Sequence, residues 1–217
     1  MALVYFLALD KCRSLESPEA VSVFVEELLR LHRGQGRDIL WRERAECPSE
    51  EAYLNMVLDK TGGLFRLAVR LMQLFSACRT DFTPLLDQLA LYFQIRDDLL
   101  NLCSEEYMQS KSVFEDISEG KLSFPVIHAL RTRPHDGRLI SILKQRTEDI
   151  SLKRYAVDWL RRCGSLDFTR DRLRGIYQQL LTMLDQLGGE AASRLRILLD
   201  RLEAQIDDRT AREASPP

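Results

Sequence analysis

The stretch "PLLDQLALYFQIRDDLLNLCSEEY", residues 84–107, decides the fold of this chain. Its apolar residues cover nearly the whole circumference of a helix, which is typical of a helix that is buried on all sides. Two adjacent aspartates, Asp97 and Asp98, interrupt this apolar segment. Because an unpaired carboxylate is costly to bury, the pair either lies on a solvated edge of the helix or meets a positive charge.

The segment before this helix is also helical in its pattern. Residues 18–33, "PEAVSVFVEELLRLHR", repeat apolar side chains every three or four positions, and Ser17 is well suited to cap the first turn. We expect this helix to continue past Gly34 and Gly36 to Trp41. The glycine pair Gly62–Gly63 indicates a junction between two further helices, where the backbone can approach a neighbour or a ligand closely.

The segments that follow residue 120 have helical periodicity as well, separated by Pro134, Gly164 and the pair Gly188–Gly189. No stretch alternates as a strand would. The sequence therefore predicts an all-α protein with one domain over residues 1–206. Apolar periodicity is lost after that point, which predicts a disordered tail over residues 207–217.

Composition excludes several functional classes. The chain has 217 residues and a formal net charge of -2, which gives no electrostatic reason to bind nucleic acid. No apolar run approaches the roughly 20 residues that a membrane span needs. The five cysteines have no metal-ligand spacing, which favours reduced thiols. We expect a cytoplasmic protein without a transmembrane segment.

The aspartate pair belongs to a larger polar set. Gln94, Asp97, Asp98 and Asn101 are three or four positions apart, so that a helix would present their oxygens on one face. Magnesium accepts such hard oxygen ligands, usually one or two carboxylates together with substrate phosphates. An ordinary polar edge, with Arg96 or a distant lysine pairing the carboxylates, explains this segment equally well.

Three lysines favour the metal interpretation. Lys60 precedes Thr61 at the expected helix junction, where a cation, a hydroxyl and free amides could meet a phosphate. Lys111 and Lys121 flank a polar loop that follows the aspartate helix. Each lysine alone is more often a solvated surface residue. Their shared proximity to buried carboxylates predicts a magnesium-diphosphate site.

Residues 32–41, "HRGQGRDILW", contain two glycines inside an expected helix. Each costs about 1 kcal/mol relative to alanine, so close packing or a ligand contact should offset them. Gln35 and Asp38 are three positions apart and could point toward the same site. A helix kink packed against a neighbour is the alternative.

Five motifs together carry a family resemblance. In order and spacing, "GQGRDILW", "KTGGLF", "FQIRDDLLN", "KSVFEDISEGKLSFPVIHAL" and "RTEDI" resemble the trans-polyprenyl diphosphate synthases, and most closely the animal geranylgeranyl diphosphate synthases. The resemblance extends from about residue 3 to about residue 190. Any one of these motifs would be weak evidence, whereas the ordered set is specific.

The resemblance implies an all-helical isoprenoid-synthase fold in which two aspartate-rich motifs face each other across a cavity. Magnesium ions bridge these motifs to the diphosphate of an allylic substrate, such as farnesyl diphosphate. Ionisation of that substrate and attack by isopentenyl diphosphate would give geranylgeranyl diphosphate. Cations are needed to carry the charge of the leaving diphosphate, and an apolar cavity shelters the carbocation.

The family's residue roles transfer to matching positions only. The resemblance implies that Asp97, Asp98 and Asn101 act on magnesium, with Asp38 as a further ligand, and that Lys60, Asp97 and Asp98 are catalytic. It implies substrate contacts from Lys60, Thr61, Gln94, Lys111, Lys121 and Gln35. Asn101 departs from the family, which usually has an aspartate there, and an amide oxygen is a weaker ligand for magnesium.

A larger departure is that the family's first aspartate-rich motif, DDxxD, has no counterpart in this sequence. We therefore expect an N-terminally truncated synthase domain that lacks the first helices. One hypothesis is a prenyltransferase, and the other is a non-catalytic partner subunit of a full-length synthase. The resemblance also implies a homo-oligomer or a mixed oligomer with that full-length synthase.

Overall fold

The computed structural model describes residues 2–103 and 114–213, and these residues form helices without any β-strand. The expected all-α fold is confirmed. The elements, in chain order, are α1 (Ala2–Arg13), α2 (Pro18–Arg44), α3 (Glu50–Val57), a π-helical turn (Leu58–Gly62), α4 (Gly63–Leu74), α5 (Thr83–Cys103), α6 (Glu115–Glu119), α7 (Phe124–Thr132), α8 (Arg138–Gln145), α9 (Ile150–Arg162), α10 (Ser165–Leu187) and α11 (Gly189–Glu213).

Helix α5 lies at the centre of the bundle, as its apolar circumference predicts. It packs against α10, the π-helical turn, α7 and α11, and its side chains Tyr92, Ile95 and Leu99 are fully buried. Burying each such side chain contributes roughly 1.5–3 kcal/mol relative to its exposed state. The π-helical turn, α7 and α11 are therefore placed by their packing on α5.

Helix α2 begins where the sequence predicts and ends three residues later than expected, at Arg44. The Ser17 hydroxyl accepts a hydrogen bond from the Ala20 N–H and so caps the first turn, as expected. Gly34 lies inside the helix, where its missing side chain allows close contact with the π-helical turn. A methyl carbon at Gly34 would lie 2.6 Å from the Lys60 backbone nitrogen.

The glycine pair Gly62–Gly63 does not end a helix, which corrects one prediction. Both residues have right-handed helical dihedral angles, and α3, the π-helical turn and α4 form one continuous helix. The expected close approach is nevertheless present. A methyl carbon at Gly63 would lie 3.1 Å from the carbonyl oxygen of Glu27 on α2. The glycines are thus required for helix packing rather than for a turn.

Two segments differ from the expected loop and tail. Part of the polar loop after α5 forms the short helix α6, whereas Lys111 lies outside the described residues. Helix α11 extends to Glu213, seven residues past the point where we expected helical structure to end. Arginine, alanine and glutamate are good helix formers, so a polar sequence can continue a helix without an apolar face.

Helix α1 carries a largely exposed apolar face. It packs on α2 through the buried residues Cys12, Ala20 and Phe24, which form a small cluster separate from the main core. In contrast, Leu3 and Phe6 are 69% and 68% exposed. Among the described residues, no helix is both long enough and apolar enough to cross a membrane.

A pair of glycine substitutions tests the close packing of α2 on the π-helical turn. We expect Gly34→Ala to lower the free energy of unfolding by about 1–3 kcal/mol, because the new methyl group would overlap the Lys60 backbone. Gly36→Ala is the matched control, since a methyl group there meets no described atom within 4 Å. It should stabilise the helix by up to about 1 kcal/mol. Urea denaturation measures both changes, and similar effects in the two variants would contradict this packing.

Candidate functional site

A polar cavity of about 500 Å³ lies between α2, the π-helical turn, α5 and α6. We call it the acidic–basic cavity because carboxylates and cations both line it. Its lining consists of Gln35, Asp38, Arg42, Lys60, Arg96, Asp97, Leu100, Asn101, Glu115, Asp116, Glu119, Lys121 and Gln205. Six residues that the sequence analysis proposed for the site thus lie together, although they come from distant parts of the chain. They are Gln35, Asp38, Lys60, Asp97, Asn101 and Lys121.

Lys60 and Asp38 meet at one wall of this cavity. The Lys60 Nζ donates a hydrogen bond of 2.6 Å to Asp38 Oδ2, and both side chains are largely buried. Because Asp38 is bound to an ammonium group, it positions Lys60 and is less available as a metal ligand. The close contact between Gly34 and the Lys60 backbone brings the two helices near enough for this pair.

Asp97 presents an exposed carboxylate to the cavity. Among the described residues it has no hydrogen-bond or ion-pair partner, whereas Lys60, Lys121 and Arg96 are near enough to act on it electrostatically. Desolvation by the cavity walls and the neighbouring Asp98 carboxylate raise the pKa of Asp97, and the nearby cations oppose this rise. Asp97 is therefore the one member of the aspartate pair that is able to bind a ligand directly.

Asp98 has the opposite environment. Its side chain is fully buried, and four donors surround its two oxygens. Oδ2 accepts hydrogen bonds from the Tyr53 hydroxyl at 2.5 Å and the Phe124 N–H at 2.8 Å. Oδ1 accepts one from Gln94 at 3.1 Å and lies 2.9 Å from the Lys121 Nζ. Four donors occupy most of the lone-pair positions of a carboxylate, so Asp98 is better suited to positioning its partners than to binding a metal.

Lys121 connects Asp98 to the α6 segment. Its Nζ also contacts both carboxylate oxygens of the buried Asp116, at 3.1 and 3.2 Å. Burial alone would lower the pKa of Lys121, but the Asp98 and Asp116 carboxylates outweigh that effect and raise it. Burial and the negative charge of Asp98 raise the pKa of Asp116, although the Lys121 ammonium group opposes this rise. Lys121 is thus a fixed positive charge at the cavity wall.

Asn101 and Gln94 make structural hydrogen bonds. The Asn101 side-chain oxygen accepts a bond of 3.0 Å from the Asp116 backbone N–H and so fixes the start of α6. The Thr61 hydroxyl donates to the Gln94 side-chain oxygen at 2.9 Å. The amide at position 101, where the family usually has an aspartate, therefore has one of its acceptor positions occupied by the backbone of α6.

The expected helix N-terminus at Lys60 is absent, because the helix is continuous from Glu50 to Leu74. The backbone N–H groups near Thr61 are inside a helix, so they are not the free amides that bind phosphate at a helix N-terminus. Of this pair, the Lys60 side chain lines the cavity, whereas the Thr61 hydroxyl donates its hydrogen bond to Gln94. The cation and hydroxyl that the sequence indicated are present, but the backbone contribution is not.

Arg66 fixes the π-helical turn that carries these side chains. Its buried guanidinium donates to the Leu58 carbonyl at 2.8 Å and to Glu27 at 3.2 Å, and it also pairs with Asp87. These partners belong to the turn itself, to α2 and to α5. The Arg66 side chain therefore joins the turn to two neighbouring helices, and these contacts hold Lys60 beside the cavity.

Several site residues were not found from the sequence. Tyr53 donates a hydrogen bond to the buried Asp98, Asp116 binds Lys121, and Arg42 lines the cavity. A tyrosine on an apolar helix face is a usable signal, because a buried hydroxyl needs a hydrogen-bond partner. The identity of that partner depends on the contact between α3 and α5, which sequence periodicity does not show.

The described residues contain no group of three or more His, Cys, Asp or Glu side chains arranged to hold a metal ion. Magnesium, however, is often bound by one or two carboxylates, with substrate phosphates and waters as its other ligands. An exposed Asp97 between Lys60 and Lys121 fits that arrangement. The donor set is therefore that of a shared metal and phosphate site rather than of a metal site made by the protein alone.

The described residues form an all-helical bundle in which Asp97 lies near Lys60 and Lys121 at a polar cavity. The polyprenyl synthetase family model matches residues 2–160 of the chain. The chain belongs to the polyprenyl synthetase family.

Relatives support this assignment. The chain is 50% identical over 200 residues to a geranylgeranyl pyrophosphate synthase of Dictyostelium discoideum, a match that covers 92% of this chain and 65% of the relative. It is 52% identical over 186 residues to a terpene synthase of Matsumurasca onukii, covering 86% of this chain and 61% of the relative. A geranylgeranyl pyrophosphate synthase of Claviceps paspali, idtG, is 46% identical over 217 residues, covering 98% of this chain and 65% of the relative. The chain thus spans less than two thirds of the length of these relatives, and a special closeness to animal synthases stays a prediction.

The two aspartates should differ sharply in their effect on stability. Asp98→Ala would leave Lys121 and the Tyr53 hydroxyl without a main buried partner, so we expect a loss of about 3–5 kcal/mol in the free energy of unfolding. Asp97→Ala is the matched control and should change stability by less than about 0.5 kcal/mol. Chemical denaturation followed by circular dichroism measures both. Similar losses in the two variants would show that the environments of the two carboxylates are not as different as described.

Proposed function

We propose that this chain binds the diphosphate group of an allylic substrate for prenyl transfer, as part of a geranylgeranyl diphosphate synthase. The reaction would condense an allylic diphosphate, farnesyl diphosphate in our proposal, with isopentenyl diphosphate. Family membership implies substrates of these two kinds. The names of two of the relatives support geranylgeranyl diphosphate as the product.

One observation carries the proposal. Lys60, Lys121 and the unpartnered Asp97 converge on a single cavity from the π-helical turn, the segment after α6, and α5. Two ammonium groups and a carboxylate together form a site for an anion that is accompanied by a metal ion. A scaffold with only a structural role does not require a carboxylate that faces a cavity without a described partner.

The protein side chains would act mainly on the leaving group. In our proposal Lys60 and Lys121 bind oxygens of the diphosphate and neutralise the charge that develops as the allylic carbon–oxygen bond breaks. The Gln94–Thr61 hydrogen bond holds the Thr61 side chain beside them, and Gln35 contributes a polar group to the same cavity. Lys111, which lies outside the described residues, remains proposed as a further substrate contact.

A divalent metal ion is implied by the family, and we propose that it is Mg²⁺. Asp97 is the residue best placed to hold it, whereas Asp98, Asn101 and Asp38 would support the site through the hydrogen bonds described above. The ion would supply positive charge to the diphosphate when bound. Catalytic roles are accordingly proposed for Lys60 and Asp97, and a positioning role for Asp98.

Calorimetry with inorganic diphosphate and Mg²⁺ tests the site directly. We expect Asp97→Ala to abolish measurable magnesium-dependent binding, because the metal loses its proposed protein ligand. Asp171→Ala removes an exposed carboxylate from α10, where the side chain is 76% exposed, and should leave binding unchanged. Magnesium-dependent binding of normal affinity in Asp97→Ala would refute the assignment of this carboxylate.

A second candidate role is that of a non-catalytic partner subunit of a full-length synthase. It is favoured by Asp97 being the only aspartate among the described lining residues of the cavity without an ion-pair or hydrogen-bond partner, because the family mechanism has aspartates on two opposed motifs. The two roles differ in what the purified chain does with farnesyl diphosphate, isopentenyl diphosphate and Mg²⁺. The enzyme role predicts a twenty-carbon diphosphate whose formation is lost in Lys60→Gln.

The partner role predicts a different result in the same assay. The chain alone would form no product, but adding it to a full-length synthase would change the rate or the chain length of the products. Asp171→Ala again serves as the control that should behave as the wild type. Product from the chain alone would exclude the partner role as the sole function, and the absence of any effect in either assay would contradict both roles.

We also propose a homo-oligomer, or a mixed oligomer with a full-length synthase. The exposed apolar residues Leu3, Val4, Phe6 and Leu7 on α1 support association, because large apolar patches are uncommon on monomers. A cytoplasmic location is supported by the cysteines, all five of which are free thiols.

A further inference from the structure

A second cavity, of about 300 Å³, lies beside the acidic–basic cavity and has a basic rim. The C-terminal ends of α2 and α8 form its sides. Arg42 and Arg44 come from α2, and Lys144 and Arg146 come from the end of α8. We call this cavity the basic cleft. It is not part of the site proposed above, although Arg42 lines both cavities.

The charge of the basic cleft is opposite to that of the whole chain. Four cationic side chains and one carboxylate, Glu43, line it, whereas the formal net charge of the protein is -2. Helix C-termini favour nearby cations, since each carries roughly half a negative charge. Two such ends offset about one of the three excess positive charges. The remaining positive charge lies on a concave surface, which strengthens the positive electrostatic potential inside the cleft.

Pairing with protein carboxylates does not remove this excess. Arg146 contacts Glu43 at 2.6 Å, and Arg42 contacts Glu119 at 3.1 Å. Arg44 and Lys144, in contrast, have no ion-pair or hydrogen-bond partner among the described residues. Glu43, Glu119 and the two helix ends together offset about three of the four positive charges. About one positive charge therefore remains for a ligand to balance.

The guanidinium of Arg42 is also incompletely satisfied. Its Nε is buried and has no hydrogen-bond acceptor in the described part of the chain. A buried donor on a charged group that lacks an acceptor is costly. The Arg42 side chain lies between the two cavities. An anion bound in either cavity would therefore stabilise its guanidinium group.

The floor of the basic cleft is apolar. It includes Leu143 and Leu122, both buried, and the partly buried Ile140. Gly120 has a φ of +67°, and a methyl carbon there would lie 2.7 Å from the Leu143 carbonyl oxygen. The backbone contact between the α6 segment and α8 is therefore close. A small apolar group could pack on this floor while an attached anion meets the cations at the rim.

We propose that the basic cleft binds a phosphate ester that carries a short apolar chain. The phosphate would pair with Arg44 and Lys144, and the chain would contact the floor formed by Leu122 and Leu143. A free prenyl phosphate and the headgroup region of an anionic lipid share this chemistry. The cleft would bind its ligand without a metal ion, because no carboxylate in it is free to hold one.

Nuclear magnetic resonance with octyl phosphate, in metal-free buffer, tests the site. Titration should shift the amide resonances of Ala45, Gly120 and Leu143, which line or border the basic cleft. Inorganic phosphate should bind more weakly, because it lacks the apolar chain. The double variant Arg44→Gln/Lys144→Gln should weaken octyl phosphate binding roughly ten-fold, since two charge contacts are lost.

A matched control removes the same charge elsewhere. Arg162→Gln/Arg201→Gln changes two exposed cations on α9 and α11 that do not line the cleft, and its affinity should stay within about two-fold of the wild type. Equal weakening in the two double variants would overturn the proposal, because it would indicate non-specific attraction. Absence of shifts at Ala45, Gly120 and Leu143 would overturn it as well.

The same titration separates this proposal from the proposed prenyl-transfer site. Lys60→Gln should leave the octyl phosphate shifts at Gly120 intact, whereas magnesium-dependent diphosphate binding should be lost. Loss of both in Lys60→Gln would refute a separate cleft site. Co-sedimentation with phosphatidylcholine vesicles that contain phosphatidic acid, abolished in Arg44→Gln/Lys144→Gln, would assign the ligand to a membrane lipid. Shifts without co-sedimentation would assign it to a free phosphate ester.

Discussion

The buried carboxylate of Asp98 is the constraint on which the site depends. A charge with no exposed surface is stable only when other groups replace the water that it has lost. Four groups replace that water at Asp98: a hydroxyl from α3, a backbone N–H from α7, an amide from α5 itself and the Lys121 ammonium. These groups come from four parts of the chain, so satisfying one carboxylate also fixes the relative positions of α3, α5, α7 and the α6 segment.

This constraint separates the functions of two adjacent residues. Neighbouring positions on a helix point about 100° apart, so Asp98 faces the core while Asp97 faces the cavity. The internal carboxylate holds Lys121 in place, and the external one remains available. A positive charge and a negative charge are therefore presented to the same cavity at fixed positions, an arrangement that needs little reorganisation when an anion and a metal ion bind.

The sequence was sufficient for most of the helices and for six of the residues that line the cavity. Apolar periodicity and capping residues such as Ser17 report local structure directly, and for that reason α2 and α5 were predicted well. The roles of Asp97 and Asp98 could not be distinguished, because the distinction depends on a tyrosine and a lysine that are distant in sequence. The helix expected to end at Gly62 continues, because the glycines there allow close approach of the backbone rather than a turn.

The π-helical turn has a consequence for how a helix can serve two surfaces. The turn contains one residue more than an α-helical turn. The side chains before it and after it are therefore rotated relative to each other by about 100° around the helix axis. Tyr53, upstream, can therefore point at the buried carboxylate of α5, while Arg66, downstream, points at Glu27 on α2. Deletion of a single residue between Leu58 and Gly62 would bring the two halves back into phase. Each half would keep its own sequence, yet only one of the two surfaces could then be matched, so the length of this segment is constrained as well as its composition.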